Sequence, residues 1–391
     1  MAQHFTPELW TIYAATLTES NTINSIPFAS AWLKRSGGLA LYVRLSWHHP
    51  DDEPMSEVVI HSAQRIIDTV ASHAQRLELL DIQLPSETLP YLSSTLSSKR
   101  LDSLKHLKLY FSLDPDDPDS ILKVDASPRI LTMEYGWLTK INIDWSRLTN
   151  FVAKDILNLE ECIHLFQHAS NLNFSDIHLF AATFPPQSPV NHPSLESLII
   201  RDCGMGFWES FTFPSLESLH IYKANGVPGW NGLRDFVRRS GCKLGQLAIR
   251  HMEETDEHEI VHVFRATTEL KQLSIQGDVL GGSILSEMDA VATSDTSGFL
   301  FKLEILTLVF LRLPFDWAGL VVLLVTMSSR EAKSLRDVKV RLIERTPDSY
   351  DSLIGKTMLK HVMDASQSYN IRFVDSDGLD LLTKLRHHYI L

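Results

Sequence analysis

The residues with the clearest chemical spacing are His258-Glu259-Ile260-Val261-His262, an H-E-x-x-H run. On a helix the two histidines lie four apart on one face, as a zinc site needs, and Glu259 could activate a bound water. Zinc-dependent hydrolysis is therefore the alternative functional reading. At about 100° per residue, however, Ile260, Val263 and Phe264 gather on one side of that helix, with His258 and His262 opposite. A helix packed by its apolar side would turn both histidines to solvent. Arg265 and Thr268 stand where a downstream Gly-x-x-His would begin and end, so Glu269 or Glu287 would have to complete the ligand set.

Other catalytic patterns are missing from the sequence. It contains no G-x-S-x-G, P-loop or G-x-G-x-x-G, and the glycines of Gly277 to Gly282 come without a lysine. The adjacent pairs His48, His49 and His387, His388 would point apart on a strand and read as solvated surface. Cys162, Cys203 and Cys242 form no C-x-x-C pair and read as small buried hydrophobes of a reduced intracellular protein. The expectation is no enzyme, no cofactor and no metal.

The chemistry that remains is recognition, and it falls in one pattern. Lys108, Tyr110, Asn142, Asp144, Asp176, His178, Ile199, Arg201, His220, Tyr222, Arg250, Gln276, Lys339 and Arg341 all occupy alternate positions of short apolar strands. Aromatics and arginines mixed with both charge signs suit a protein partner.

The elements that position these residues repeat. Pro193 to Ile200 reads PSLESLII and Pro214 to Ile221 reads PSLESLHI, a copy offset by 21 residues. That is one unit of a solenoid rather than a duplicated domain. The pattern L-x-x-L-x-I gives Leu195, Leu198, Ile200 and then Leu216, Leu219, Ile221. Weaker versions begin at Leu77, Leu104, Leu138, Leu172, Leu244, Leu270, Leu303 and Leu335, with 21 to 34 residues between successive starts. Each strand is too short to bury its face alone, and stacking completes the core. The predicted class is α/β, an irregular leucine-rich-repeat solenoid with a parallel sheet on the concave face and helices or loops on the convex face. Few of the turns after these strands carry Asn or Cys, which predicts an uneven arc.

Helices are predicted at Phe28 to Ser36, closed by Gly37 and Gly38, and at Ser56 to His73. Further helices are expected at Asp155 to His168, Gly232 to Arg239, Asp256 to Thr267, Ile284 to Val291, Asp316 to Met327 and Tyr350 to Ala365, and a closing strand at Ile371 to Val374. The polar runs at His48 to Pro54, Asp114 to Asp119, Phe184 to Pro189 and Gly226 to Gly229 read as loops. Residues 1–55 form an N-terminal cap, 56–345 the repeats and 346–391 a C-terminal cap.

The 391 residues are 44% hydrophobic and 21% charged, enough apolar material for a large core. A net charge of -12 argues against general nucleic-acid binding. The strongest apolar run, Ala318 to Met327, is about half the ~20 residues of a membrane span, and Met1 to Trp10 lacks the features of a signal peptide. The sequence thus predicts neither nucleic acid nor membrane as a partner.

Phe5 to Trp10 (FTPELW), Trp32 to Leu45 (WLKRSGGLALYVRL) and the PSLESL copies together resemble the mushroom-type fungal F-box proteins with leucine-rich-repeat-like tails. Ala40 replaces the proline that this family usually carries before its strand. An F-box takes about forty residues, and only nine precede Trp10, so the F-box itself is missing. The resemblance implies the substrate-recognition region of a ubiquitin-ligase receptor, cytoplasmic or nuclear. It would bind a protein substrate on the concave strands, and a ligase adaptor only if an F-box precedes Met1. A stand-alone repeat scaffold without a ubiquitin role is the other reading.

Overall fold

The computed structural model describes residues 7–18, 22–47, 56–110, 121–134, 137–179, 188–203, 205–222, 229–252, 257–277, 284–286, 288–289, 302–310, 317–328, 334–342 and 370–374. The chain divides into two compact units, Met1–His178 and Leu179–Leu391. Both are α/β, built from parallel strands with helices between them.

In the first unit the strands β1 (Ile12–Leu17), β2 (Leu41–Trp47), β3 (Leu77–Gln83) and β4 (His106–Tyr110) are side by side in chain order. The strand β5 (Leu122–Lys123) stands apart and pairs with β7 (Ile141–Asn142), while β6 (Ile130–Glu134), β8 (Asn150–Leu157) and β9 (Phe174–Leu179) continue the main order. Register aligns Val43, Leu80, Leu107, Leu131 and Phe151 in one row and Leu45, Ile82, Leu109 and Met133 in the next. All of these side chains are buried. Parity does the sorting, since successive side chains of a strand point to opposite faces of the sheet.

The helices of this unit are α1 (Thr22–Arg35), α2 (Glu57–Ala71), α3 (Leu89–Ser97) and α4 (Leu159–His168). In α2 the buried face is Val59, Ala63, Ile66, Ile67 and Val70, the spacing that a helix needs to present one side to a sheet. A capping box starts α4: Asn158 accepts from the Glu161 N–H at 2.9 Å, and Glu161 accepts from the Asn158 N–H at 3.0 Å.

One expected repeat strand is misplaced. Leu138 to Lys140 is a 3-10 turn and Ile141 belongs to β7, so the unit read at Leu138, Ile141 and Ile143 is not part of the main sheet. The main-sheet strands here are β6 and β8. Their inner positions hold Leu131, Met133, Phe151 and Ala153, and Pro128 stands where the repeat phrase would put its leading leucine. Phe and Met fill leucine-sized places in a stack, so the core closes without the leucine spelling. The helix expected from Asp155 starts only at Leu159, because Asp155 to Leu157 complete β8.

The second unit repeats one construction. Its main-sheet order is β11 (Ser197–Arg201), β13 (Ser218–Tyr222), β14 (Gln246–Met252), β15 (Gln272–Gly277), β16 (Ile305–Phe310), β17 (Asp337–Leu342) and β18 (Asn370–Val374). A short pair, β10 (Val190–Asn191) with β12 (Phe211–Thr212), lies apart from it. Leu198, Leu219, Leu247, Leu273, Leu306, Val338 and Ile371 are in register, as are Ile200, Ile221, Ile249, Ile275, Leu308, Val340 and Phe373. The backbone locks this register before each strand: the Glu196 carbonyl accepts from both Glu217 and Ser218, Glu217 from Gly245 and Gln246, and Gly245 from Lys271 and Gln272. Lys271 and Glu304 carry the same fork onward.

The helices here are α5 (Met205–Ser210), α6 (Trp230–Ser240), α7 (Glu257–Ala266) and α8 (Trp317–Ser328). Gly241, at φ 60°, ends α6 in the left-handed conformation that favours glycine. Phe207, Trp208, Phe211, Phe213 and Phe236 interlock beneath it, with ring centroids 4.8 to 6.4 Å apart. Leu320, Leu323 and Leu324 of α8 are buried while Val322 and Val325 are exposed. Among the described residues no helix is long and apolar enough to cross a membrane.

The closing strand at Ile371 to Val374 is present as β18. The loops at His48 to Pro54 and Asp114 to Asp119, most of those at Phe184 to Pro189 and Gly226 to Gly229, part of the helix at Ile284 to Val291, the helix at Tyr350 to Ala365, and the pairs His48, His49 and His387, His388 lie outside the described residues.

Candidate functional site

The outward rows of the strands hold most of the residues expected there. Lys108 and Tyr110 are on β4, Asp176 and His178 on β9, Ile199 and Arg201 on β11, His220 and Tyr222 on β13, Arg250 on β14, Gln276 on β15, and Lys339 and Arg341 on β17. Asn142 and Asp144 are not among them. Asn142 is on β7, and Asp144 caps the 3-10 turn Trp145–Arg147, accepting from the Ser146 N–H at 2.9 Å and bonding to the Ser127 hydroxyl.

In the first unit three pairs of opposite charge lie on or beside the outward face. Arg44 lies 3.8 Å from Asp81, Lys105 lies 2.7 Å from Glu78, and Lys154 lies 3.4 Å from Glu134. Lys154 also stands 4.7 Å from the centre of the Tyr110 ring. The Lys105 ammonium beside Glu78 holds that carboxyl below its usual range. Asp81 is the exception in accessibility, only 6% exposed, with one carboxylate oxygen lacking a hydrogen bond. Arg44 and Asp81 were legible as alternate residues of LYVRL and LLDI, the place that Lys108 takes in the next strand.

The second unit is built differently. Register puts Arg201, Tyr222 and Arg250 in one row on three adjacent strands. The guanidinium carbons lie 5.3 Å (Arg201) and 4.7 Å (Arg250) from the Tyr222 ring centre, so one ring is faced by two cations. His220, two positions earlier on the same outward face of β13, is 3.2 Å from the Gln246 amide.

The backbone marks the same spot. Among the described residues, two that are not glycine have a left-handed φ: Asp202 at 56° and His251 at 59°. They directly follow Arg201 and Arg250. Between β14 and β15 the register slips, so that Arg250 and His251 together face Gln276 as a bulge. A bulge bends its strand and re-aims the side chains that it carries. Arg372, at the Lys339 position of the next strand, extends the neighbouring row of Ser274, Thr307 and Lys339 and was legible from the alternation of NIRFV.

The H-E-x-x-H run lies on α7 with Ile260, Val263 and Phe264 buried and His262 exposed, as helical periodicity predicts for that residue; the His258 side chain lies outside the described residues. Among the described residues no group of three or more His, Cys, Asp or Glu side chains gathers as a metal site would. Cys162 and Cys203 are buried, and burial pushes the Cys162 thiol up and that of Cys242 up to about 11. Neither is a poised nucleophile.

The two stretches of the N-terminal resemblance meet. Trp10 and Trp32 pack edge to face at 4.5 Å, and the Arg35 guanidinium lies 4.7 Å from the centre of the Trp10 ring. Comparison of the chain with protein-family models finds none that matches, and comparison with curated proteins finds no match either.

Proposed function

We propose that the chain is a leucine-rich-repeat-type interaction module whose outward strand rows bind a protein. In this reading the repeats form a solenoid with the strands on its concave side, used as in the substrate-recognition region of the F-box receptors that the sequence resembles. The work is recognition rather than catalysis, in the cytoplasm or nucleus. A ligase adaptor enters only through an F-box.

The observation that carries this reading is the Arg201, Tyr222 and Arg250 stack, placed on in-register strands and followed by two left-handed residues. Tyr and Arg are the side chains that most often anchor protein interfaces. Local backbone strain concentrates where a surface must hold a particular shape.

The test is steric. Ser274 and Thr307 are neighbours on the outward face of β15 and β16, where a tryptophan would stand over the row without entering the core. Photo-crosslinking in a lysate with wild type, Ser274→Trp, Thr307→Trp and, as a remote control, His262→Trp on α7 separates the faces. Loss of a crosslinked protein in the first two variants, with the control unchanged, is the expected outcome. A capture profile indifferent to all three sinks the reading.

A further inference from the structure

We propose that the outward face of the second unit is an acid-reading surface, and that the partner segment it takes is an extended acidic peptide stretch. This inference rests on the protein-binding reading above and names the chemistry of the partner.

The argument is charge complementarity on a chain of the opposite sign. The whole molecule carries -12, yet the outward positions of β11 to β18 hold Arg201, Arg250, Lys339, Arg341 and Arg372 against Asp337 alone. That acid is engaged: the Asn370 amide donates to it at 2.5 Å. Among the described residues no carboxylate pairs with Arg250, Lys339, Arg341 or Arg372, in contrast to the three ion pairs on or beside the outward face of the first unit. Acids near this face lie off its centre, with Glu196, Glu217 and Glu304 just before the strands and Asp202 just after Arg201. Nearby Lys271 and Arg336 offset them.

The cations form two poles. One is the Arg201, Tyr222 and Arg250 stack, and the other is Lys339, Arg341 and Arg372 on the last two strands. Between them lie Ser274, Gln276, Thr307 and Val309, small or neutral side chains that a main chain could cross. From β14 to β17 is three strand steps, roughly 14 Å at the usual ~4.8 Å spacing, and an extended peptide covers that in about four or five residues. Arginine guanidinium suits carboxylate geometry, and the contact with Tyr222 fixes Arg250 on the outward face.

A nucleic acid is the weaker occupant. Its charges come about every 1.7 Å of duplex axis, whereas this face offers two separate clusters on a net-negative protein.

The experiment uses the full chain and a fluorescent glutamate peptide of about ten residues, read by anisotropy at low salt. Controls are a lysine peptide and a single-stranded oligonucleotide of equal length. The triple variant Arg250→Glu, Lys339→Glu, Arg341→Glu is compared with wild type, and Arg250→Gln, Arg341→Gln serves if the reversals impair folding. The expected result is binding of the glutamate peptide, weakened at least about tenfold by reversal and by physiological salt. Failure of the peptide to bind, equal affinity in wild type and charge variants, or tighter binding of the oligonucleotide overturns the proposal. The crosslinking test separates this failure from that of the parent reading. Capture blocked by Thr307→Trp but indifferent to charge reversal leaves protein binding standing and removes the acidic partner.

Discussion

Ser175 stands on β9 where the other repeats place a leucine, fully buried, with its hydroxyl lacking a hydrogen bond. A buried, unmatched hydroxyl costs about 1 to 3 kcal/mol relative to an apolar group of the same shape. Ser175→Ala removes the oxygen and keeps the carbon, so stability should rise by about 1 kcal/mol. The check is a shift of the urea midpoint at unchanged slope, and a lower midpoint would mean that the hydroxyl is satisfied in solution. Glu161 is the opposite case. It is buried, and its two carboxylate oxygens accept the Leu138 N–H at 2.8 Å and the Asn158 N–H at 3.0 Å. Glu161→Ala strands both donors and should cost about 2 to 4 kcal/mol. Burial lifts the Glu161 carboxyl above its ordinary range, although the backbone donors oppose the shift. The folded protein then keeps this proton where the unfolded chain has released it. The resulting stability is full below the unfolded carboxyl's titration and is lost as pH rises through the folded one. Urea titrations from about pH 4 to pH 7 should show a falling contribution that Glu161→Gln flattens. Parallel curves for the two proteins would remove this role.

At the scale of the element, the bulge on β14 is the feature with a measurable cost. His251 holds a left-handed backbone that a side chain resists, typically at about 1 kcal/mol, and glycine adopts it freely. His251→Gly should therefore be stability-neutral or stabilising by up to about 1 kcal/mol, the relief being offset by the looser unfolded chain. A loss beyond that would show that the histidine ring makes a contact worth more than the strain. Such elements also show what could be read in advance. Leu198, Ile200, Leu219 and Ile221 announced their strands because leucine and isoleucine at period two have few other uses. Arg201, Tyr222 and Arg250 followed as outward residues, since parity on a strand leaves no choice. The strands β6 and β8 escaped because Met133, Phe151 and Ala153 fill the same stack in different spelling, and Pro128 breaks the phrase. Pairs of two-residue strands such as β5 with β7 carry no period at all. The contact of Tyr222 with both arginines was likewise illegible: it depends on register across segments 21 and 28 residues apart, which the folded connections set.

Within the second unit, taken as a whole, each strand gains its burial from the strands immediately beside it, so stability should follow position in the stack rather than residue type alone. Leu273 sits on β15 between β14 and β16, with partners Leu247 and Leu306 in register, and is 1% exposed. Ile371 sits on β18 and among the described residues is in register with Val338 on one side. It is 7% exposed. Truncating Leu273 opens a cavity lined by two neighbours, whereas truncating Ile371 opens one that the surrounding chain and solvent can partly close. Leu273→Ala should cost about 3 to 5 kcal/mol and Ile371→Ala about 2. The same logic predicts a spatial signature. Amide exchange should accelerate for β14, β15 and β16 together in the first variant and for β17 and β18 alone in the second, because opening spreads through nearest-neighbour contacts. Uniform acceleration across the whole unit in both variants would instead mark it as one cooperative block, in which the row of cations over β11 to β18 is held by the global stability and no local opening can separate its two poles.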